Sequence, residues 1–372
     1  MHELLNIERY VRQILESGRT GAIATLVHVH GSSYRRPGAR MVLVSDGTWH
    51  GAISGGCLEG DVLLRAQEIM NDTTPRVVRY DTTNDENNVF GVGLGCNGII
   101  DILIEPFHVA HDTCVKTLHA LIHPDCTTAH AIVFESTNLA VPVGTHWVLA
   151  EIGTDESLMP KDIVRDMREQ CRLEQSANTV YSSELGIVNV FIEIVQPQTQ
   201  LVLFGAGYDT KPVVDFARTL GWHVTVTDKS PIKANQHSFP NAHAVVCAHP
   251  QQVLTHIQCT ARTVCILMSH NFMYDTDILE QLVTTSVKYI GILGPRKRWE
   301  KMQIELEQRN VIIPEETLNA IYSPVGLDLA AETPEEIALS MIAEIQHVLH
   351  GGSTQPLRIK PGTIHERTTK EI

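Results

Sequence analysis

The sequence predicts an α/β protein in two parts, an N-terminal mixed α/β domain followed by a doubly wound parallel sheet. Three observations lead there. Residues 201–204, 223–227, 244–247, 263–268 and 289–293 are short β-rich apolar runs set apart by helix-forming or turn-forming stretches, the alternation that builds a parallel sheet. The polar, proline-bearing stretch QPQTQ at 196–200 stands directly before the first of these runs and reads as a linker. The chain has 372 residues, enough for two or three domains at roughly 100 to 200 residues each. We therefore expect one domain over 1–196, a second over 200–350, and a tail over 351–372.

Leu4, Leu5, Ile7, Tyr10, Val11, Ile14 and Leu15 recur near a 3.6-residue period, so residues 3–17 read as a helix that Gly18 ends. Gly21 to His30 is a strand, broken by the turn-forming GSSYRRPGA. Met41 to Ser45 and Trp49 to Ile53 are strands around the turn at Asp46-Gly47. Leu58, Val62, Leu63, Ala66, Ile69 and Met70 put a helix over 57–70, directly after the glycine pair of SGGCLEG. Strands at 76–80 and 99–104 flank a second glycine-rich stretch, GVGLGCNG, and a less informative α/β segment continues to about Ile194.

In the second part, strand 201–204, a helix near 212–220 and strand 223–227 begin the parallel pattern. Thr333-Pro334-Glu335-Glu336 supplies an N-cap, proline at the first helical position and glutamate at the third, and Ile337, Met341, Ile342, Ile345 and Leu349 give the buried stripe of a final helix. It stops before Gly351-Gly352. The tail beyond lacks periodicity.

Composition excludes several functions. Forty-three acidic against 29 basic side chains leave a formal charge of −14, a surface that repels nucleic-acid backbones and anionic lipid. No apolar run approaches the roughly 18 to 20 residues that span a bilayer, and residues 1–15 lack the pattern of a secretion signal, so cytoplasm is the expected location. Eight cysteines without a CxxC pair do not make a disulfide scaffold or a structural zinc site. Nineteen histidines are scattered without HExxH or a cysteine at ligand spacing. Neither GxSxG nor a P-loop nor the kinase motifs occur.

The remaining chemistry lies in five places. LVLFGAGYDTKP sets Gly205 and Gly207 between a strand and a helix, and Asp228 ends the next strand 21 residues after Gly207, the Rossmann-like arrangement for a dinucleotide. Thr210 replaces the third glycine, and Lys211 stands at the mouth of the turn; the alternative is a turn without a ligand. GSSYRRPGARM carries Arg35, Arg36 and Arg40, a local cationic loop suited to an anion or to solvent alone. SGGCLEG puts Cys57 at a helix start, where the dipole favours a thiolate, although Glu59 and Asp61 oppose that. GVGLGCNG presents Cys96; both thiols could equally be buried and structural. His270, with Asp275 and Asp277 after it, follows an apolar strand at the sheet edge where open α/β sheets bind ligands, and GILGPRKRW opens a further basic turn with Arg296, Lys297 and Arg298.

Taken together, GSSYRRPGARM, SGGCLEG, GLGCNG, LVLFGAGYDTKP, MSHNFMYDTDIL, GILGPRKRW and SPVGLDLAAETPEEIALSMIAEI resemble the xanthine dehydrogenase accessory factor family, XdhC/CoxI, in order and from about residue 20 to 347. That resemblance implies a molybdenum cofactor (molybdopterin) chaperone that binds and shields its cargo, presents it for sulfuration by a cysteine desulfurase, and inserts it into a xanthine dehydrogenase or aldehyde oxidase-type apoenzyme. It further implies that Gly55, Gly56, Cys57, Glu59, Gly95 and Cys96 line the cargo site, with Cys57 and Cys96 as metal-facing thiols and Arg35 and Arg36 toward the phosphate. Gly205, Gly207, Asp228 and His270 of the Rossmann-like domain are candidates for NAD(P) or another nucleotide. A homodimer is expected. The competing reading is an NAD(P)-dependent oxidoreductase using those same four residues, and a third is a scaffold without cofactor.

Overall fold

The protein's structure, a computed structural model, describes residues 1–31, 33–56, 58–81, 98–122, 126–150 and 156–360. They fall into two compact units, one built on Met1–Pro197 and one on Gln198–Ile359.

The first unit begins with helix α1 (His2–Glu16), strands β1 (Gly21–Gly31), β2 (Arg40–Val44) and β3 (Trp49–Gly51), helix α2 (Glu59–Asp72), and strands β4 (Arg76–Asp81) and β5 (Gly98–Phe107). The five strands form one antiparallel sheet in the order β3-β2-β1-β5-β4. Side chains alternate across a strand, and β1 shows what that does. Ala22, Ala24 and Leu26 pack with Val62, Ala66 and Ile69 of α2. Ile23 faces the other way, against Leu4, Ile7, Val11 and Ile14 of α1. Both faces of the sheet are thus covered by helices.

The same unit continues with α3 (Thr113–Leu121), β6 (Thr128–Ser136), β7 (His146–Ala150), α4 (Lys161–Leu173), β8 (Ala177–Ser183) and β9 (Gly186–Val195). These strands make a second antiparallel sheet, β7-β6-β9-β8. Val27 and Leu103 of the first sheet pack with Ile132, Phe134 and Phe191 of the second, which joins the two. The sequence signal here is weak because β6 is buried along most of its length, so a two-residue alternation never shows.

The second unit runs β10 (Gln200–Phe204), α5 (Thr210–Thr219), β11 (His223–Asp228), β12 (Ala244–Cys247), α6 (Pro250–Val253), β13 (Thr263–Leu267), α7 (Phe272–Leu282), β14 (Tyr289–Ile292), α8 (Arg296–Gln308), α9 (Glu315–Asn319), β15 (Ile321–Tyr322) and α10 (Pro334–His350). All paired strands are parallel, in the order β12-β11-β10-β13-β14-β15. The expected doubly wound Rossmann-like sheet is therefore present. Leu201 and Leu203 face Val213, Ala217, Ala338 and Met341 of α5 and α10; Val202 and Phe204 face Ile278 and Leu282 of α7 and Met302 of α8.

Thr333 caps α10 as its sequence predicts. Its hydroxyl accepts from the Glu336 amide at 3.3 Å, the Glu336 carboxylate accepts from the Thr333 amide at 3.0 Å, and Gly351 closes the helix at φ +66°. Two helix starts differ from the expected ones: α2 begins at Glu59, not at residue 57, and α5 begins at Thr210. No helix among the described residues is long and apolar enough to cross a membrane.

Candidate functional site

In the first unit the loop between β1 and β2 and the loop between β3 and α2 meet. The ring of Tyr34 lies 3.7 Å from the position a Cβ on Gly55 would take, so the arginine loop rests on that glycine. Arg35, Arg36, Tyr34, Glu3, Ser176 and Glu193 share the wall of an open cavity of about 400 Å³. The Arg35 guanidinium is held by Glu3 of α1, whose other oxygen accepts from the Arg40 amide at 2.9 Å. Helix α1 thereby fixes where the arginine loop sits.

Glu59 organises the glycine turn. One oxygen accepts from the amides of Ile53 (3.2 Å) and Ser54 (2.8 Å), the other from the Ser54 hydroxyl (2.5 Å). That hydroxyl in turn accepts from the amides of Gly56 and Leu58, both at 3.2 Å. Burial opposes ionisation, but the Ser54 hydroxyl and these amides hold the Glu59 carboxyl below its ordinary range. The turn needs Gly56 because φ there is +104°. Glu59 therefore positions the loop.

Arg40, the third arginine of the motif, is turned inward and 3% exposed. Its guanidinium grips Glu193 through two hydrogen bonds. Glu193 also meets His130 Nδ1 at 3.3 Å, His130 Nε2 meets His146 Nδ1 at 2.9 Å, and His146 Nε2 meets Glu105 at 2.5 Å. Burial works against the charge on Glu193, yet Arg40 and His130 hold its carboxyl well below the usual range. Burial above all, together with the neighbouring His146 and Arg40, lowers His130 to about 4 against the pull of Glu193. Sequence reasoning missed Glu105, His130, His146 and Glu193. The available signal was a charged or imidazole side chain at an inward position of a strand otherwise built from apolar residues.

In the second unit, Gly205 holds φ +135°, and a Cβ there would lie 2.5 Å from the Met268 carbonyl oxygen. The turns after β10 and β13 are thus in contact. Thr210, fully buried, donates its hydroxyl to the Gly205 carbonyl at 3.0 Å, so the residue replacing the third glycine ties the turn instead of opening it. A Cβ on Gly207 would lie 2.3 Å from Asp209 Oδ1, and the other oxygen of Asp209 meets His270 Nε2 at 2.8 Å. The carboxylate of Asp209 therefore occupies the approach that a diphosphate would need. Asp228 is 7% exposed and accepts from the amides of Ala206 (3.3 Å) and Ser230 (2.8 Å). Asp209 thus sets a negative charge beside the glycine turn, which disfavours a diphosphate there.

Of the sequence candidates, the structure brings together Arg35, Arg36, Gly55, Gly56 and Glu59 in one unit, and Gly205, Gly207 and His270 in the other, with Asp228 bonded beneath the glycine turn. Cys57, Gly95 and Cys96 lie outside the described residues.

Comparison with known proteins extends over both units. Residues 201–345 match the XdhC Rossmann domain and residues 14–81 match the XdhC and CoxI family. A probable xanthine dehydrogenase subunit from Bacillus subtilis is 30% identical over 341 residues, covering 91% of this chain and 96% of that protein. The molybdenum cofactor insertion chaperone PaoD of Escherichia coli is 24% identical over 342 residues, covering 92% and 87%. A crystal structure of a xanthine dehydrogenase from Bacillus halodurans superposes with a TM-score of 0.73 at 28% identity, covering 97% of this chain and 98% of the other. With an arginine loop seated on a glycine turn in one unit and a parallel sheet of the XdhC Rossmann type in the other, this chain belongs to the XdhC and CoxI family.

Proposed function

We propose that the chain is an accessory factor of molybdenum cofactor metabolism, which carries the cofactor as cargo to a xanthine dehydrogenase or aldehyde oxidase-type apoenzyme. The observation that carries this reading is the contact of Tyr34 with Gly55, next to Arg35 and Arg36 on the wall of a cavity of about 400 Å³, in a chain aligned over 92% of its length with an insertion chaperone. Backbone amides of a glycine turn and a pair of guanidinium groups suit the terminal phosphate of a pterin cargo. Cys57, next to that turn in sequence, supplies a soft sulfur for the metal, and Cys96 a second. Handing the cargo to a cysteine desulfurase for sulfuration, and acting as a homodimer in the cytoplasm, complete the proposal.

Two chemical demands favour binding over catalysis. A chaperone must hold a phosphate-bearing ligand and release it intact, which calls for hydrogen bonds and charge without a nucleophile poised beside a base. Arg35 is restrained by Glu3 and the turn is restrained by Glu59, so the loops are ordered before the cargo arrives. The oxidoreductase reading is less favoured, because the Asp209 carboxylate beside Gly207 adds negative charge where a diphosphate would bind.

The test is to produce the protein together with cofactor biosynthesis, purify it without oxygen, and measure released pterin fluorescence and molybdenum, beside Arg36→Ala, Cys57→Ala and Cys96→Ala. Stoichiometric pterin that falls in these variants is the expected result. A protein free of pterin under those conditions, with tight NADPH binding instead, overturns the reading.

A further inference from the structure

On β1, His28 and His30 stand two residues apart, and the pairing with β5 is regular there, His28 opposite Asp101 and His30 opposite Ile99. Alternate residues of a strand share one face at a spacing of about 7 Å, so the two imidazoles project side by side. Both are within reach of solvent: His28 keeps 30% of its side-chain surface, and His30 is exposed. No hydrogen bond or ion pair engages the His30 imidazole among the described residues.

His28 is held in a way that His30 is not. Its Nδ1 meets Asp101 Oδ2 at 3.0 Å, and the same carboxylate accepts from Arg79 Nε at 2.7 Å and Nη2 at 3.0 Å. Asp101 is fully buried. Burial works against its charge, yet His28 and Arg79 hold the carboxyl below its ordinary range. An ionised carboxylate only accepts, so Nδ1 carries the proton and Nε2 keeps its lone pair. The ring of Phe134 on β6 lies 5.7 Å away and 11° from parallel, and it steadies the imidazole plane. No partner for Nε2 is found among the described residues. A carboxylate behind one ring nitrogen, with the other nitrogen left open, is the outer support that metal-ligating histidines have.

Other paired histidines lack that freedom. His130 and His146 spend both ring nitrogens between Glu193 and Glu105. His108, whose ring lies 5.9 Å from that of His111, accepts from the Ala110 amide at Nδ1 (3.2 Å), so its proton sits on Nε2 and its lone pair is taken. Among the described residues no group of three or more side chains could hold a metal ion. His28 and His30 therefore make an open site, whose remaining positions fall to water or to donor atoms of a bound molecule. Arg79 adds little repulsion because Asp101 offsets its charge, and the chain as a whole carries −14.

We propose that His28 and His30 bind a divalent first-row transition cation of the zinc and nickel class, one ring nitrogen each, His28 through Nε2 with Asp101 as its outer support. Imidazole nitrogen selects such ions over magnesium and calcium, which take oxygen. Asp101 is a positioning residue: it sets the tautomer of His28 and does not touch the ion. The site draws on nothing in the arginine loop or the cargo, so the inference goes beyond the accessory role and neither stands nor falls with it.

The experiment uses the full chain, stripped with a chelator that is then removed, and titrated calorimetrically with zinc, nickel and magnesium chlorides. Zinc and nickel are expected to fill a site that His28→Ala and His30→Ala each abolish, that His108→Ala leaves unchanged, and that magnesium does not enter. Asp101→Asn weakens it about 10- to 100-fold. In protein labelled with nitrogen-15 at histidine, zinc should move the His28 Nε2 resonance while the Nδ1 proton is retained. Asp101→Asn should release the ring into both tautomers, which a purely structural role for Asp101 would not do. Circular dichroism checks the fold of that buried variant; His30→Ala, at an exposed position, decides the matter if Asp101→Asn does not fold. A His28 Nε2 resonance unmoved by zinc, titrations unchanged by His28→Ala or His30→Ala, or an equal loss in His108→Ala means an adventitious ion only and overturns the proposal.

Discussion

Arg40 on β2 and Glu193 on β9 meet fork to fork, Nη1 on Oε1 at 2.7 Å and Nη2 on the second oxygen, and so bolt one sheet of the N-terminal unit to the other. The pair also sits directly under the arginine loop. A Cβ on Gly38, at φ +97°, would lie 2.9 Å from Glu193 Oε1, and the Gly38 carbonyl accepts from Arg40 at 2.9 Å. Core and arginine loop are thereby held together.

Removing one member of a buried ion pair leaves the other charged and unsatisfied, at a cost of roughly 3–5 kcal/mol. Glu193→Ala is expected to lose that much in urea denaturation. The double replacement Arg40→Met with Glu193→Leu should recover most of it, since an apolar pair of similar volume avoids desolvation altogether. A double variant no more stable than Glu193→Ala would contradict this account.

Acid sensitivity follows from His130. Its folded pKa is depressed to about 4, against about 6.5 when unfolded, so between those values the unfolded chain binds the extra proton. Stability is full above about pH 6.5 and declines as pH falls toward 4, by roughly 3 kcal/mol from this residue. Glu193, held below the ordinary carboxylate range, adds a further loss as pH falls below about 4.5. Denaturation midpoints at pH 7, 5.5 and 4 check the sign: His130→Gln should show a correspondingly shallower decline than the parent.

Glu59 makes a local prediction. Glu59→Ala leaves the Ile53 and Ser54 amides and the Ser54 hydroxyl without their acceptor, a penalty of about 1–3 kcal/mol for each donor that stays buried. Hydrogen exchange at Ile53 and Ser54 should accelerate while that of β5 is unchanged. Unaltered exchange at those two amides would show that the carboxylate does not hold the turn.

Thr210→Gly restores the third glycine of the dinucleotide fingerprint. It should not create NADH binding, because the Asp209 carboxylate still stands beside Gly207 and opposes a diphosphate there. Loss of the Thr210 bond to Gly205 and the added backbone freedom should lower stability by about 1–2 kcal/mol. Fluorescence titration with NADH and a thermal melt read both outcomes.

The second unit was legible because its strands are short apolar runs with helices or turns between them, and because Thr333, Pro334 and Glu336 announce α10 in local chemistry. The sheet formed by β6 to β9 was not, since β6 is buried along most of its length and β8 is half-buried or exposed throughout, so neither shows a clean alternation. At the site, the juxtaposition of Tyr34 with Gly55 joins segments about twenty residues apart and depends on how β1 turns into β2. Glu59 entered the cargo-site candidates through the family resemblance alone; the fold shows its oxygens bonded to Ile53 and Ser54, a loop contact that no local sequence pattern announces. Asp209 passed unnoticed because a fingerprint records where glycines stand, not what an intervening side chain leans on.

Gly205 also sets how closely two strands can be joined. With the turn after β10 pressed against the Met268 carbonyl, any side chain at position 205 would push that turn away from the end of β13, directly beyond the Phe204–Leu267 pairing. The absence of one methyl group there is thus a spacing rule for the middle of the sheet, written into the chain at a point where the backbone conformation already demands glycine.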